Sequence, residues 1–167
     1  MSISLVSVRR SAPLLLCLLT AIVVLPGCTP ENSGTAKMVQ DATTGSKDSR
    51  YTAIDDLGER HANASQVVPP LEKMLTDEDP QVRWRTARTL GEYGSQAKSS
   101  AASLRKLLTD SDPIVQYHAA IALGKIGDKS DETVEALIAV ATSKDARVAR
   151  AAIASLSELK PGPKRVA

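Results

Sequence analysis

Apolar residues recur at helical spacing in two consecutive segments near the middle of the chain. Leu71, Met74 and Leu75 fall at i, i+3 and i+4, which places them on one face of a helix. A second stripe, spaced i, i+4, i+5 and i+8, begins at Val82 and ends at Leu90. Each segment can bury only one face. The pattern therefore predicts two helices that need neighbours to complete a core.

The corner between the two segments carries residues that begin a helix. Asp79 stands where an N-cap belongs, and Pro80 occupies the first helical position, where its missing N–H costs nothing. Gly91 and Gly94 follow the second stripe and are expected to stop that helix and allow a left-handed turn. The predicted unit is helix, corner, helix.

The same unit recurs at intervals of 33 residues. Its second copy repeats the corner as Asp110-Ser111-Asp112-Pro113, and a third copy keeps Leu137, Asp145 and Val148. A fixed period in the thirties is typical of stacked repeats that bury their faces against each other. We therefore predict an all-α fold over 50–160: a short α-solenoid of about three helical hairpins, preceded by a cap helix at 50–61.

The repeated corner, followed by Val-Arg, Ala and Leu-Gly-x-x-Gly, resembles the HEAT repeat in the variant named after phycobilisome lyases. The resemblance covers roughly residues 67–160 and weakens in the third unit, where Ala146 replaces the proline and Ser157 a glycine. It implies an α-solenoid used mostly for protein contacts, with the second helix of each unit on the concave face. It also implies that Arg83 pairs with an Asp of the neighbouring unit.

The N-terminal 27 residues have the order of an export signal. Arg9 and Arg10 precede an apolar stretch from Leu14 to Leu25 that is too short to span a bilayer comfortably. The stretch ends in Leu25-Pro26-Gly27-Cys28, which resembles the bacterial lipobox. The resemblance implies cleavage before Cys28, lipidation of that cysteine, and an address on the periplasmic side of an envelope membrane. Thr29 favours the outer membrane if the cell is Gram-negative.

The charge balance argues against binding nucleic acid. The chain has 21 basic and 19 acidic residues, and loss of Arg9 and Arg10 with the signal leaves 19 of each. Residues 28–49 are small and polar, so we expect a flexible tether there. Residues 161–167 contain Pro-Gly-Pro and a basic end, and are expected to form a disordered tail.

The clearest candidate for binding is a ladder on the second helices. The residue two after the stripe valine is Trp84, then Tyr117, then Arg150 in successive units. Arg85, His118 and Arg88 lie next to this ladder in the sequence. Trp, Tyr and Arg are the residues that most often anchor protein interfaces. The alternative is that the aromatic rings pack sideways between helices and only stiffen the stack.

The sequence gives little support for catalysis or for metal binding. His61 and His118 lack a second ligand at helical spacing, and the Asp corners lack the Gly and distal Glu of a calcium loop, so no metal or cofactor is expected. We therefore expect a non-catalytic scaffold, anchored by lipid, that binds an envelope protein or peptide. Two alternatives remain: a lyase-like or cofactor-handling factor, and a structural component that self-associates through the solenoid ends.

Overall fold

The computed structural model describes residues 30–60 and 63–160, with side chains from residue 34 onward. Within these ranges the structure is helical and contains no strand. The helices are α1 (Pro30–Thr44), α2 (Lys47–Glu59), α3 (Ala64–Met74), α4 (Pro80–Glu92), α5 (Ala101–Leu107), α6 (Pro113–Ile126), α7 (Asp131–Val140) and α8 (Ala146–Leu159), with a 3-10 segment at Gly94–Ser100. The predicted signal sequence, Cys28, His61 and the predicted tail at 161–167 lie outside the described residues.

The helices form successive pairs, and the second helices of the pairs stack side by side. α2 packs on α4, α4 on α6, and α6 on α8, while α1, α3, α5 and α7 each pack on the second helix of their own pair. The valines that open the stripes, Val82, Val115 and Val148, are fully buried. This arrangement confirms the predicted all-α solenoid.

The segment expected to be a flexible tether is instead mostly helical. α1 runs from Pro30 to Thr44 and packs on α2 and α3. Ala42 is buried in the core, and Met38 and Val39 pack against it. The tether prediction is wrong here because it weighed average composition and overlooked this short apolar stripe. Tertiary packing stabilises the helix more than its own propensity does.

The predicted cap helix at 50–61 is also corrected. α2 begins earlier, at Lys47, and ends at Glu59. It pairs with α1, so the N-terminal unit is a complete hairpin and not a single cap helix. The described part of the array therefore has four hairpins.

The repeated aspartates cap the second helices, as the sequence predicted. The carboxylates of Asp79 and Asp112 accept from the backbone N–H of the residue two further on, at 2.9 and 2.8 Å. Asp145 does the same with the N–H of Arg147 at 2.8 Å. Pro80 and Pro113 occupy the first helical position. The corners are therefore helix starts.

Replacing Asp112 by Ala is expected to lower the free energy of unfolding by about 1 kcal/mol, because the N–H of Ile114 loses its acceptor. Chemical denaturation measures this change. Asp112→Asn keeps a side-chain oxygen and should stay close to the wild type. Equal losses in the two variants would show that the charge, and not the cap, stabilises this corner.

An ion pair links each of two successive corners to the preceding second helix. Arg83 on α4 donates from Nε and Nη2 to the two carboxylate oxygens of Asp110, both at 2.8 Å. One period earlier, Arg50 on α2 pairs with Asp77 through Nη2, while its Nε donates to the Ala42 carbonyl oxygen at 3.1 Å. The Arg83 side chain also donates to the Asp77 carbonyl oxygen at 2.8 Å. The structural role predicted for Arg83 is confirmed.

The repeated glycine of the second helices has a different role from the one predicted. Gly91 lies inside α4, which continues to Glu92, so it does not stop the helix. A Cβ at Gly91 would come within 3.0 Å of the Ala122 Cα on α6. The glycine therefore lets two helix backbones approach closely. Gly94, with φ of 53°, takes the left-handed conformation that the sequence predicted.

Candidate functional site

The predicted ladder lies along the second helices and is extended at its N-terminal end by Tyr51. Trp84 is half-buried, and its indole N–H donates to the Gln81 side-chain oxygen at 3.1 Å. Its ring stacks on His118 of the next repeat, with centroids 4.8 Å apart and planes 22° from parallel. Tyr117 meets the His118 ring edge-on at 5.1 Å. Trp84 therefore contacts the next repeat, whereas the Tyr117–His118 contact lies within α6.

The two arginines predicted beside the ladder are held by acids. Arg85 pairs with Asp55 of α2, and its guanidinium lies 4.5 Å from the Trp84 ring centre. Arg88 donates to Glu92 on the same helix at 3.1 Å. The positive charges of Arg85 and Arg88 are therefore largely neutralised by these acids. The Arg85–Asp55 ion pair also joins α2 to α4.

An open groove of about 630 Å³ lies between α6 and α8. We call it the α6–α8 groove. It is lined by Ile114, Tyr117, His118, Ile121, Arg147, Arg150, Ala151 and Ala154. Three of the six predicted binding residues, Tyr117, His118 and Arg150, line it, whereas Trp84, Arg85 and Arg88 lie one repeat away.

The groove combines an aliphatic wall with guanidinium groups. Ile114 is 39% exposed at its edge, and no carboxylate is among the described lining residues. Arg147 pairs with Asp145 at 2.9 Å, outside the lining. Arg150 donates from Nε to the Ala146 carbonyl oxygen at 3.1 Å and forms no ion pair with a described residue. The remaining N–H groups of Arg150 can therefore bind a carboxylate oxygen.

The predicted binding residues did not include five others that line the same groove: Ile114, Ile121, Arg147, Ala151 and Ala154. A signal was present in the comparison of repeats. Ile114 and Ile121 stand where the preceding unit has Gln81 and Arg88. A change from polar to apolar at positions off the buried stripe marks an exposed apolar surface.

His118 lines this groove from α6, opposite the two arginines of α8. Burial lowers its pKa most, and the nearby charges of Arg88 and Lys125 lower it further, to about 4. The imidazole is therefore neutral at pH 7. A neutral ring stacks on Trp84 without adding another positive charge to the groove.

We expect stability to fall as the pH drops from about 6.5 to about 4, because the unfolded chain takes up a proton at His118 before the folded chain does. NMR titration of the histidine Cε1 proton should give a pKa near 4 for His118. His118→Gln should remove this part of the pH dependence of unfolding. A His118 pKa of 6 or higher would contradict the effect of burial and of the nearby positive charges at this site.

Metal-binding clusters and membrane-spanning helices are both absent from the part of the chain that the structure describes. Across 30–60 and 63–160, no three His, Cys, Asp or Glu side chains gather as a metal site. None of the helices described for the chain is both long and apolar enough to cross a membrane.

Comparisons with solved structures agree with the stacked hairpins. Three crystal structures of engineered proteins from a structural genomics consortium are similar to this chain, at 28%, 28% and 27% identity and TM-scores of 0.63, 0.62 and 0.62. They match 75%, 74% and 78% of this chain, which spans 62%, 62% and 38% of theirs. A comparison with curated proteins found no match.

A family model described as HEAT repeats matches residues 35–107 and 101–167. The match starts within α1, so it includes the hairpin that the sequence pattern alone did not predict. Together the two matched ranges cover most of the chain. This chain belongs to the HEAT repeat family.

Proposed function

We propose that this protein is a non-catalytic scaffold, anchored by lipid to a bacterial envelope membrane, that binds a protein segment in the α6–α8 groove. The observation that best supports this proposal is the groove itself. It measures about 630 Å³ and is lined by aliphatic and aromatic side chains and two arginines, with no carboxylate among its described lining residues. HEAT repeats are commonly interaction scaffolds, and rigid stacked helices present such a surface without a covalent step.

The lining indicates the chemistry of the bound segment. Ile114, Ile121 and the two alanines favour aliphatic side chains, because removing apolar surface from water stabilises a complex. Arg150 favours an Asp or Glu beside them, since a guanidinium binds a carboxylate through two parallel hydrogen bonds. The proposed partner therefore presents an acidic residue next to aliphatic ones.

The anchor is proposed from the lipobox-like sequence at Cys28, which precedes the described residues. Only Thr29 separates Cys28 from Pro30, where α1 begins. A lipid on Cys28 would therefore hold the first hairpin near the membrane surface, without the spacer that the polar composition suggested. On this proposal the protein faces the periplasm, on the outer membrane in a Gram-negative cell.

The groove is tested by placing a photo-crosslinking amino acid at Ile121 in the lipidated, full-length protein in cells. Mass spectrometry of the crosslinked peptide should identify one envelope protein, joined through a segment that contains Asp or Glu. Arg150→Glu should reduce the crosslinked product at least tenfold, because it replaces the attracting charge by a repelling one.

Lys106→Glu is the matched control, since this exposed lysine lies on α5, away from the groove. It makes the same charge change and should leave the crosslink intact. Equal yields from Arg150→Glu and the wild type would contradict the groove as the binding site. A basic captured segment would contradict the proposed partner chemistry.

A further inference from the structure

The C-terminal end of the array exposes aliphatic side chains at positions that are buried in every earlier described repeat. Ile54, Ala87 and Ala120 recur at intervals of 33 residues and are 0% exposed, whereas their equivalent Ile153 is 56% exposed. Leu90 and Leu123 are likewise 0% exposed, and their equivalent Leu156 is half-buried. These side chains point to where the next repeat of a longer array would stack.

The first helix of the last hairpin contributes to the same end. Ile138 on α7 is 41% exposed. Its equivalent Arg105 on α5 reaches forward to Thr133 and Asp128 of the following unit, with donor–acceptor distances of 3.1 and 3.4 Å. We define Ile138, Ile153, Leu156 and Ser157 as the C-terminal end face. It contains no charged side chain, although the exposed Lys160 lies at its edge.

The N-terminal end of the array differs sharply in chemistry. Asp41, Asp48 and Asp56 line a shallow cavity of about 350 Å³ between α1 and α2, with Met38 and Ala53 among its other lining residues. Asp41 and Asp48 form no ion pair with a described residue, so burying them against isoleucines would leave charges without partners, which is costly. The two ends of the molecule are therefore poor partners for each other.

The internal junctions give a second reason against head-to-tail stacking. Thr89 and Ser155 each donate a hydroxyl to a backbone carbonyl of the preceding second helix, Ile54 at 3.1 Å and Ala120 at 2.8 Å. The equivalent residue on the exposed N-terminal side is Asp56, whose ionised carboxylate is only an acceptor. It would face a carbonyl oxygen and repel it.

The last repeat has also lost the glycine that close stacking needs. A Cβ added at any of three repeated glycines would lie within 3.0 Å of an atom of the next second helix. These glycines are Gly58, Gly91 and Gly124. Their equivalent in α8 is Ser157. A further copy therefore cannot continue the array in the same register.

We propose that the C-terminal end face docks on the same face of a second copy, through a two-fold axis. The face is apolar at its centre, so it can pack against a copy of itself, and the exposed Lys160 at its edge stays in water. A two-fold contact buries the end face of both copies, so assembly stops at a dimer. This inference does not depend on what occupies the α6–α8 groove, because the two surfaces lie on different sides of α8.

The test is chemical crosslinking of the full chain in cells with a short, membrane-permeant bis-maleimide. Ser157→Cys should give a covalent homodimer on a denaturing gel, and the parent chain, whose sequence has only Cys17 and Cys28 as cysteines, should not. Asp56→Cys is the matched control at the opposite end and should give none. Adding Ile153→Glu to Ser157→Cys should reduce the dimer at least tenfold.

Ile153 is 56% exposed, so Ile153→Glu should keep the wild-type helical circular dichroism. Two outcomes would overturn the proposal. The first is a mixed product when differently tagged Asp56→Cys and Ser157→Cys chains are expressed together, which would show head-to-tail contact. The second is no dimer from Ser157→Cys, which would mean that residues 161–167 or another protein cover the face.

Discussion

Arg83→Ala is expected to lower the free energy of unfolding by about 3 kcal/mol. The Arg83 and Asp110 side chains are 13% and 9% exposed, and two parallel hydrogen bonds of 2.8 Å join them across a repeat junction. Removing the guanidinium leaves the carboxylate of Asp110 largely buried without its cation. Urea denaturation followed by circular dichroism measures the loss.

Arg147→Ala is the matched control, because Arg147 also pairs with an aspartate but its side chain is 62% exposed. Its loss should change stability by less than about 1 kcal/mol. A similar loss in both variants would mean that burial of the Arg83 pair has no special effect. That result would contradict the view that this pair ties the repeats together.

The stabilisation by Arg83 should also depend on pH. Burial alone raises the pKa of Asp110, but hydrogen bonds from Arg83 and from the Asp112 N–H lower it more, and the net shift is downward from 3.8. The folded-state pKa is thus below that of the unfolded chain. The contribution is present above about pH 4 and is lost as the pH falls through the lower folded-state value. The stability difference between the wild type and Arg83→Ala should shrink over that range.

Gly124→Ala is expected to destabilise the protein by about 2 kcal/mol, although alanine is the better helix former. An added Cβ at Gly124 would lie 2.6 Å from Ser155 Oγ and 2.8 Å from Ser155 Cβ, so α6 and α8 must separate. The separation would also weaken the 2.8 Å hydrogen bond from the Ser155 hydroxyl to the Ala120 carbonyl. Thermal unfolding measures the change.

Gly34→Ala makes the same substitution in α1, where no heavy atom lies within 4 Å of an added Cβ. It should be neutral or stabilising by up to about 1 kcal/mol. Adding Ser155→Gly to Gly124→Ala should recover part of the loss, because it removes the atoms that clash. If Gly124→Ala is as stable as Gly34→Ala, the helices are not held at this distance.

The candidate site was only partly predictable from the sequence. The 33-residue period placed Trp84, Tyr117 and Arg150 at equivalent positions of successive repeats. Three of the six predicted binding residues do line the α6–α8 groove. The period could not show that Trp84 turns sideways to stack on His118. Side-chain direction at a repeat junction depends on the neighbouring helix, which a one-dimensional pattern does not contain.

Local sequence by itself determined the elements that depend on short-range physics. The Asp-Pro corners begin helices because the carboxylate and the proline ring act within two residues, and the 33-residue period determined that hairpins stack. Tertiary structure alone decided the rest. It made a helix of Pro30–Thr44, because α2 and α3 bury its short apolar stripe. It also placed Gly91 inside α4, where the backbone comes close to α6, and it left Ile153 exposed to solvent. Each of these depends on whether another helix lies alongside, and only the packed array supplies that information.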